Sequence, residues 1–162
     1  MRRKDKEIAD MGEIIEIVRE CKVCRLALSD NDRPYVIPLN YGFTFENNQL
    51  TLFFHSAPEG KKNEIMKANP LACFEVDCAG SLIEADDPCK YSYAFKSAIG
   101  FGKIVFVESP GEKARALNEI MKHQTGKDTL YNYPPESLEK LAVYKMLVEE
   151  LTGKQKRLPA PS

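Results

Sequence analysis

Apolar positions recur along this chain with two different periods, and the changes between them mark out its elements. Ile8, Met11, Ile14, Ile15 and Val18 fall at helical spacing, which predicts an amphipathic helix over about 5–21. Bulky runs at about 23–29, 34–45 and 49–55 follow, separated by short polar turns, as antiparallel strands would be. Within the second run, Pro34 and Pro38 cannot donate to a ladder, so that strand belongs at an edge or a break. A helix over about 58–68 comes next. Ser56 and Glu59 have capping-box spacing, Pro58 suits the first turn, and Asn69-Pro70 ends it. Further runs cover about 71–78, 91–107 and 141–151, and a second long helix is predicted from Pro110 to about Gln124, with Gly126 after it.

Other segments are less regular. Gly100 and Gly102 interrupt the run around them, marking either a barrel corner or a ligand at the surface. The stretch 79–90 fits a long hairpin loop or a short strand with a turn, and Asp86-Asp87 before Pro88 reads as a solvated turn. The polar stretch 153–162, with two prolines, is expected to be a loose tail beyond a single domain over 1–152.

Composition narrows the class. With 162 residues, one domain with a real core is expected. A net charge of −1 argues against nucleic-acid binding, which normally needs a cationic excess. No apolar run approaches bilayer length, and the basic start Met1-Arg2-Arg3-Lys4 leads into acidic residues rather than a signal core. A cytoplasmic protein without membrane partners is the expectation. Its five cysteines are then reduced thiols. Cys21 and Cys24 have redox spacing but no thioredoxin-like context, and no second pair completes a zinc site, so no metal is assigned. Cys24 and Cys73 read as small core residues.

The candidate chemistry starts at the second helix. Its free N–H groups, the Ser56 hydroxyl and the adjacent Lys61 and Lys62 together suit a phosphate. A capped surface helix with two solvated lysines is the simpler account of that segment alone. His55 beside it reads either as a half-buried histidine bonded to backbone or as a proton donor near neutral pH. His123, late in the last helix, reads as a cation against the helix dipole.

Three pieces in order change the balance: Arg33-Pro34-Tyr35-Val36-Ile37-Pro38-Leu39-Asn40-Tyr41, then Phe54-His55-Ser56-Ala57 with Gly60-Lys61-Lys62, then Asn69-Pro70-Leu71-Ala72-Cys73-Phe74-Glu75-Val76. This order resembles the flavin-binding split-barrel family related to pyridoxamine 5'-phosphate oxidase, and within it the nitroimidazole-resistance (Nim) branch. The resemblance runs from about Cys24 to Val107, with a weaker echo over Val148–Lys154. It implies a mainly β protein: an antiparallel, six-stranded, Greek-key split barrel with flanking helices.

It further implies FMN, with FAD as the larger alternative, bound at the interface of a homodimer. Lys61 and Lys62 would match the basic pair that holds the flavin phosphate, with Ser56 beside them. Val36, Ile37, Pro38 and Asn40 would lie along the isoalloxazine ring, Ser97 would close the site from another strand, and His55 would both contact the cofactor and serve catalysis on the ligand side. The implied activity is reduction of small, nitro-aromatic compounds with electrons from an external donor. No G-x-G-x-x-G follows a strand, so a nicotinamide donor would dock transiently. The tail Gly153-Lys154-Gln155-Lys156-Arg157-Leu158 lacks the histidine of true pyridoxamine-phosphate oxidases, which puts that substrate in doubt. The alternative is a flavin- or small-molecule-binding split barrel that senses or sequesters without turnover.

Overall fold

A computed structural model of the chain describes residues 4–159; Met1–Arg3 of the basic start and the last three residues of the expected tail lie outside them. The element order is β1 (Glu7–Ile8), α1 (Met11–Glu20), β2 (Val23–Asp30), β3 (Arg33–Asn40), β4 (Gly42–Glu46), β5 (Gln49–Ser56), α2 (Lys61–Ala68), β6 (Leu71–Ile83), β7 (Ser92–Val107), α3 (Pro110–Thr125), α4 (Pro135–Glu139) and β8 (Ala142–Lys156). One antiparallel sheet runs β3-β2-β6-β7-β8-β5-β4, with β1 added to β8. This is the expected mainly β split barrel with flanking helices. It has eight strands because β1 is added and because the run at 34–45 divides at Tyr41.

Tight turns set the register. Asn47 and Asn48 both adopt left-handed backbone, as a two-residue hairpin loop between β4 and β5 requires. Asn31 does so between β2 and β3, where Asp30 pairs with Arg33. β3 is an edge strand, which is where Pro34 and Pro38 can be tolerated. Alternation then buries one face. Leu26, Leu52, Phe54, Phe74, Val76, Tyr144 and Met146 fill the barrel, and α1 closes it with Ile14, Ile17 and Val18. A second, smaller cluster forms on the other face, where α3 and α4 set Leu117, Ile120 and Leu138 against Phe53, Val107 and Val143.

The first helix is shorter than its apolar period suggested. Asp10 caps it, accepting from the Glu13 N–H at 2.9 Å, and the chain before it forms a short 3-10 turn and β1. The expected loose tail also differs: β8 stays paired through Lys156, opposite Phe95, and Gly153 packs against Ile14 and Ile8. Polar side chains hid this strand because its lateral hydrogen bonds, rather than burial, hold it. Over 79–90, β6 continues to Ile83 with a register shift between Cys78 and Ser81. A 3-10 turn at Pro88–Lys90 follows, capped by Asp87. Among the described residues, no helix is long and apolar enough to cross a membrane.

His123 is not a surface cation. It is buried, with Nδ1 2.7 Å from the Tyr41 carbonyl oxygen and Nε2 3.1 Å from that of Arg19. Cys73 likewise leaves the core for the outer face of β6, while Cys24 is fully buried.

Candidate functional site

The start of α2 is built differently from the capping box its sequence suggested. Ser56 is still the last residue of β5, paired with Ala142, so it cannot turn back to cap a helix. Gly60 takes the cap position at φ 131, a conformation that favours glycine, and no side chain caps the helix. The N–H groups of Asn63 and Glu64 close on the Gly60 carbonyl at 2.9 and 3.3 Å. Those of Lys61 and Lys62 face out of the open helix end, with open space around the Gly60 α-carbon. A side chain that capped this end would block an anion; its absence leaves the donors available.

Around this end the residues sort into two groups. Lys61 reaches to the β2–β3 hairpin, pairing with Asp30 at 2.9 Å and lying over the Tyr35 ring at 5.7 Å. This ties α2 to the β2–β3 hairpin, so the cationic corner sits beside the start of edge strand β3. Ser56 Oγ donates to the Ala57 carbonyl at 2.8 Å and stands 3.2 Å from Asn63 Oδ1, while Asn63 Nδ2 also holds the Ala57 carbonyl at 2.8 Å. Asn63 is buried, a polar brace that fixes the β5–α2 connection. Below it the Tyr144 hydroxyl is buried with no hydrogen-bond partner among the described residues. Burial pushes that phenol up to about 12.

His55 follows Phe54 on the strand and therefore faces the opposite side from Ser56, on the face that carries Phe53. It is exposed at its tip, and partial loss of solvent lowers its pKa from the ordinary imidazole value. Val36 and Pro38 point outward and are exposed, whereas Ile37 points inward against the barrel core. Asn40 does not have free donors. Its amide bonds the Lys22 carbonyl and Gln124 Oε1, both at 3.1 Å, which fastens the end of β3 to the end of α3.

Ser97 is not brought to these residues within one chain. It pairs with Asp77 on β6, and β2 lies between β6 and β3, so it stands three strand spacings, roughly 14 Å, from β3. The outer face between them carries an ion-paired patch, in which Arg25 bridges Glu75 and Asp77, and beside it one apolar row. Register places Val36, Ala27, Cys73 and Phe101 in one row, and Val36 and Phe101 are 60% and 52% exposed. Sequence reasoning missed Asn63, Asp30, Tyr35 and Tyr144. Of these, only Asn63 carried a local signal, as a polar residue on the inner side of a short helix.

A profile of the family described as pyridoxamine 5'-phosphate oxidase matches residues 10–155. The chain belongs to that family. Among solved structures, a candidate 5-nitroimidazole antibiotic resistance protein from Bacteroides thetaiotaomicron is 33% identical, with 91% of this chain and 85% of that chain covered at a TM-score of 0.79. This places the chain with the nitroimidazole-resistance-like branch of the flavin-binding split barrels. The flavocytochrome Anf3 from Azotobacter vinelandii shares the fold at 16% identity, covering 100% of this chain and 74% of that one with a TM-score of 0.82. An FAD and heme binding protein from Mycobacterium smegmatis does so at 14% identity, covering 97% and 77% with a TM-score of 0.82. No curated protein matches the chain.

Proposed function

We propose that this protein is an FMN-dependent oxidoreductase that reduces small, nitro-aromatic compounds with electrons from an external donor. The observation that carries this reading is the uncapped start of α2, where Lys61, Lys62 and two free N–H groups meet beside an edge strand that carries two prolines. The donor set fits a phosphate: two open amides at the helix start, on residues whose ammonium groups can add charge, Lys61 by exchanging its exposed pair with Asp30 for the anion. When bound there, the flavin supplies the electron chemistry. Lys61 and Lys62 hold the phosphate, with Ser56 beside them. The outward backbone and side chains of Val36 and Pro38 present a flat apolar surface to the ring, and Ile37 stiffens it from within.

A second copy of the chain completes the site. The exposed apolar row on β3, β2, β6 and β7 is a surface that association would cover, and a two-fold partner would bring its own Ser97 toward this β3. His55, with its lowered pKa, is largely neutral at pH 7 and suited to orient a ligand or take up a proton. We propose FMN rather than FAD because a terminal phosphate best matches a single helix start. Asn40 takes no part in this contact, since its amide is engaged elsewhere.

The test starts with the absorbance spectrum of the purified protein and FMN titration of stripped protein. Tight FMN binding followed by reoxidation of the reduced flavin by a nitroimidazole is the expected result. Binding without reoxidation would instead support a protein that only senses or sequesters. His55→Ala should impair turnover while leaving FMN affinity within about threefold; equal turnover in the variant would remove His55 from the reaction.

A further inference from the structure

We propose that Cys21 and Cys78 form a two-cysteine redox site, closing reversibly to a disulfide that pins the end of α1 to β6. Their sulfurs stand 3.0 Å apart, although the residues are 57 positions apart in the chain. A bonded pair lies at roughly 2.05 Å, so closure asks for a movement of about 1 Å. Cys21 is the residue at which α1 ends, held there by its N–H on the Ile17 carbonyl at 3.1 Å and by the Tyr41 hydroxyl on its own carbonyl at 3.0 Å. Cys78 sits just before the register shift of β6, where the ladder can absorb a small displacement. Cys24, the sequence neighbour with redox spacing, is buried within the barrel instead.

Burial assigns the two roles. Cys78 is half-buried and lines a 560 Å³ cavity walled by α1, β6, β7 and the end of β8, with Cys21 behind it. A small oxidant in that cavity meets Cys78 first. Cys21 donates its S–H toward Cys78, which favours the thiolate there, while Glu20 Oε2 at 3.4 Å holds the Cys78 proton and is itself bridged to Lys96. Cys78 is therefore the attacking sulfur and Cys21 the resolving one.

The oxidant is a hydroperoxide. The Cys78 thiolate attacks one peroxide oxygen, the O–O bond breaks, and a sulfenic acid forms at Cys78. The Cys21 thiolate then attacks that sulfur and displaces hydroxide. In total, two thiols and one hydrogen peroxide give one disulfide and two waters; the sulfurs lose two electrons and the peroxide gains them. Burial pushes both thiols above their ordinary range. This slows the first attack.

The full-length chain, purified reduced, should be treated with hydrogen peroxide, alkylated after unfolding and digested for mass spectrometry. The expected product is a peptide pair joined through Cys21 and Cys78, with Cys24, Cys73 and Cys89 alkylated. Oxidation should also raise Tm by about 5–10 °C, reversibly with dithiothreitol. Cys78→Ser, which empties no core position, should show neither the cross-link nor the shift. Glu20→Gln should speed closure several-fold at pH 7. A cross-link between any other pair, alkylation of both Cys21 and Cys78 after oxidation, or a Cys78 that is overoxidised without engaging Cys21 would overturn the proposal.

Discussion

His123 Nδ1 lies 2.7 Å from the carbonyl oxygen of Tyr41, and the two rings pack with centroids 4.7 Å apart. Through this contact α3 holds the corner where β3 becomes β4. The other ring nitrogen holds the Arg19 carbonyl at the end of α1, so one side chain joins three elements. His123→Ala would leave a cavity and take away the single N–H that the neutral ring offers these carbonyls, of which that of Tyr41 keeps the Gln124 amide at 2.9 Å; we expect a cost of about 2–4 kcal/mol in urea unfolding.

The same residue predicts a pH dependence. Burial lowers the His123 pKa, against the opposing pull of the two carbonyls. Between its folded-state pKa and the unfolded value of about 6.5, the unfolded chain therefore binds a proton that the folded chain refuses. Its contribution is full above about pH 6.5 and is lost as the pH falls through the folded-state pKa. Unfolding free energy should drop between pH 7.5 and 5.5, and His123→Gln should flatten that slope. Greater wild-type stability at pH 5.5 would mean that the carbonyl pair holds the imidazolium and that the sign is wrong.

Gly42 fixes how closely β4 approaches α3. A β-carbon there would collide with the Ile120 nitrogen and the Glu119 carbonyl carbon, both backbone atoms that cannot swing aside. Gly42→Ala should destabilise the fold by about 1–3 kcal/mol, or more where the helix cannot shift, as read from thermal or urea unfolding. Gly111→Ala, with only the Ser109 hydroxyl at 3.9 Å, is the control and should change little.

Lys61 separates binding from stability. Its ion pair with Asp30 is solvent-exposed, so losing it should cost at most about 1 kcal/mol. Lost charge-assisted contacts to a phosphate are larger, and Lys61→Ala should weaken FMN binding roughly 10-fold, with the Lys61→Ala/Lys62→Ala pair nearer 100-fold. Fluorescence titration of stripped protein measures this. Unchanged affinity in the double variant would remove the phosphate from this corner.

Phe101 tests the outer face. It is more than half exposed in a row with Cys73, Ala27 and Val36, on strands whose opposite side fills the barrel. Light scattering after gel filtration should find a dimer of the wild type and a monomer of Phe101→Glu, with FMN affinity falling in parallel. A monomeric wild type that binds FMN tightly would refute the shared site.

The barrel was legible in the sequence because alternation and turn chemistry both act locally. Asn47-Asn48, Asn69-Pro70 and Gly126 stand at real boundaries, and Pro34 and Pro38 lie on an edge as their missing donors demand. What escaped depends on contacts distant in the chain. Ser56 and Glu59 had the spacing of a cap, but pairing with Ala142 held Ser56 in β5. Asn40 looked free until α3 brought Gln124 to it, and His123 looked exposed until Tyr41 and Arg19 enclosed it. Polar Gly153–Lys156 gave no apolar signal, because a strand held by β1 and β7 on either side needs none.

Pro34 and Pro38 have one more effect. A bare seam of unpaired amides invites any extended peptide to add itself as another strand, and repeated addition leads to fibrils. Two rings without a hydrogen to offer deny an incoming strand two of the bonds it would need, while Val36 between them remains available for flat contact. Association at this rim is steered toward stacking, which stops once two faces have met, and away from growth that has no natural end.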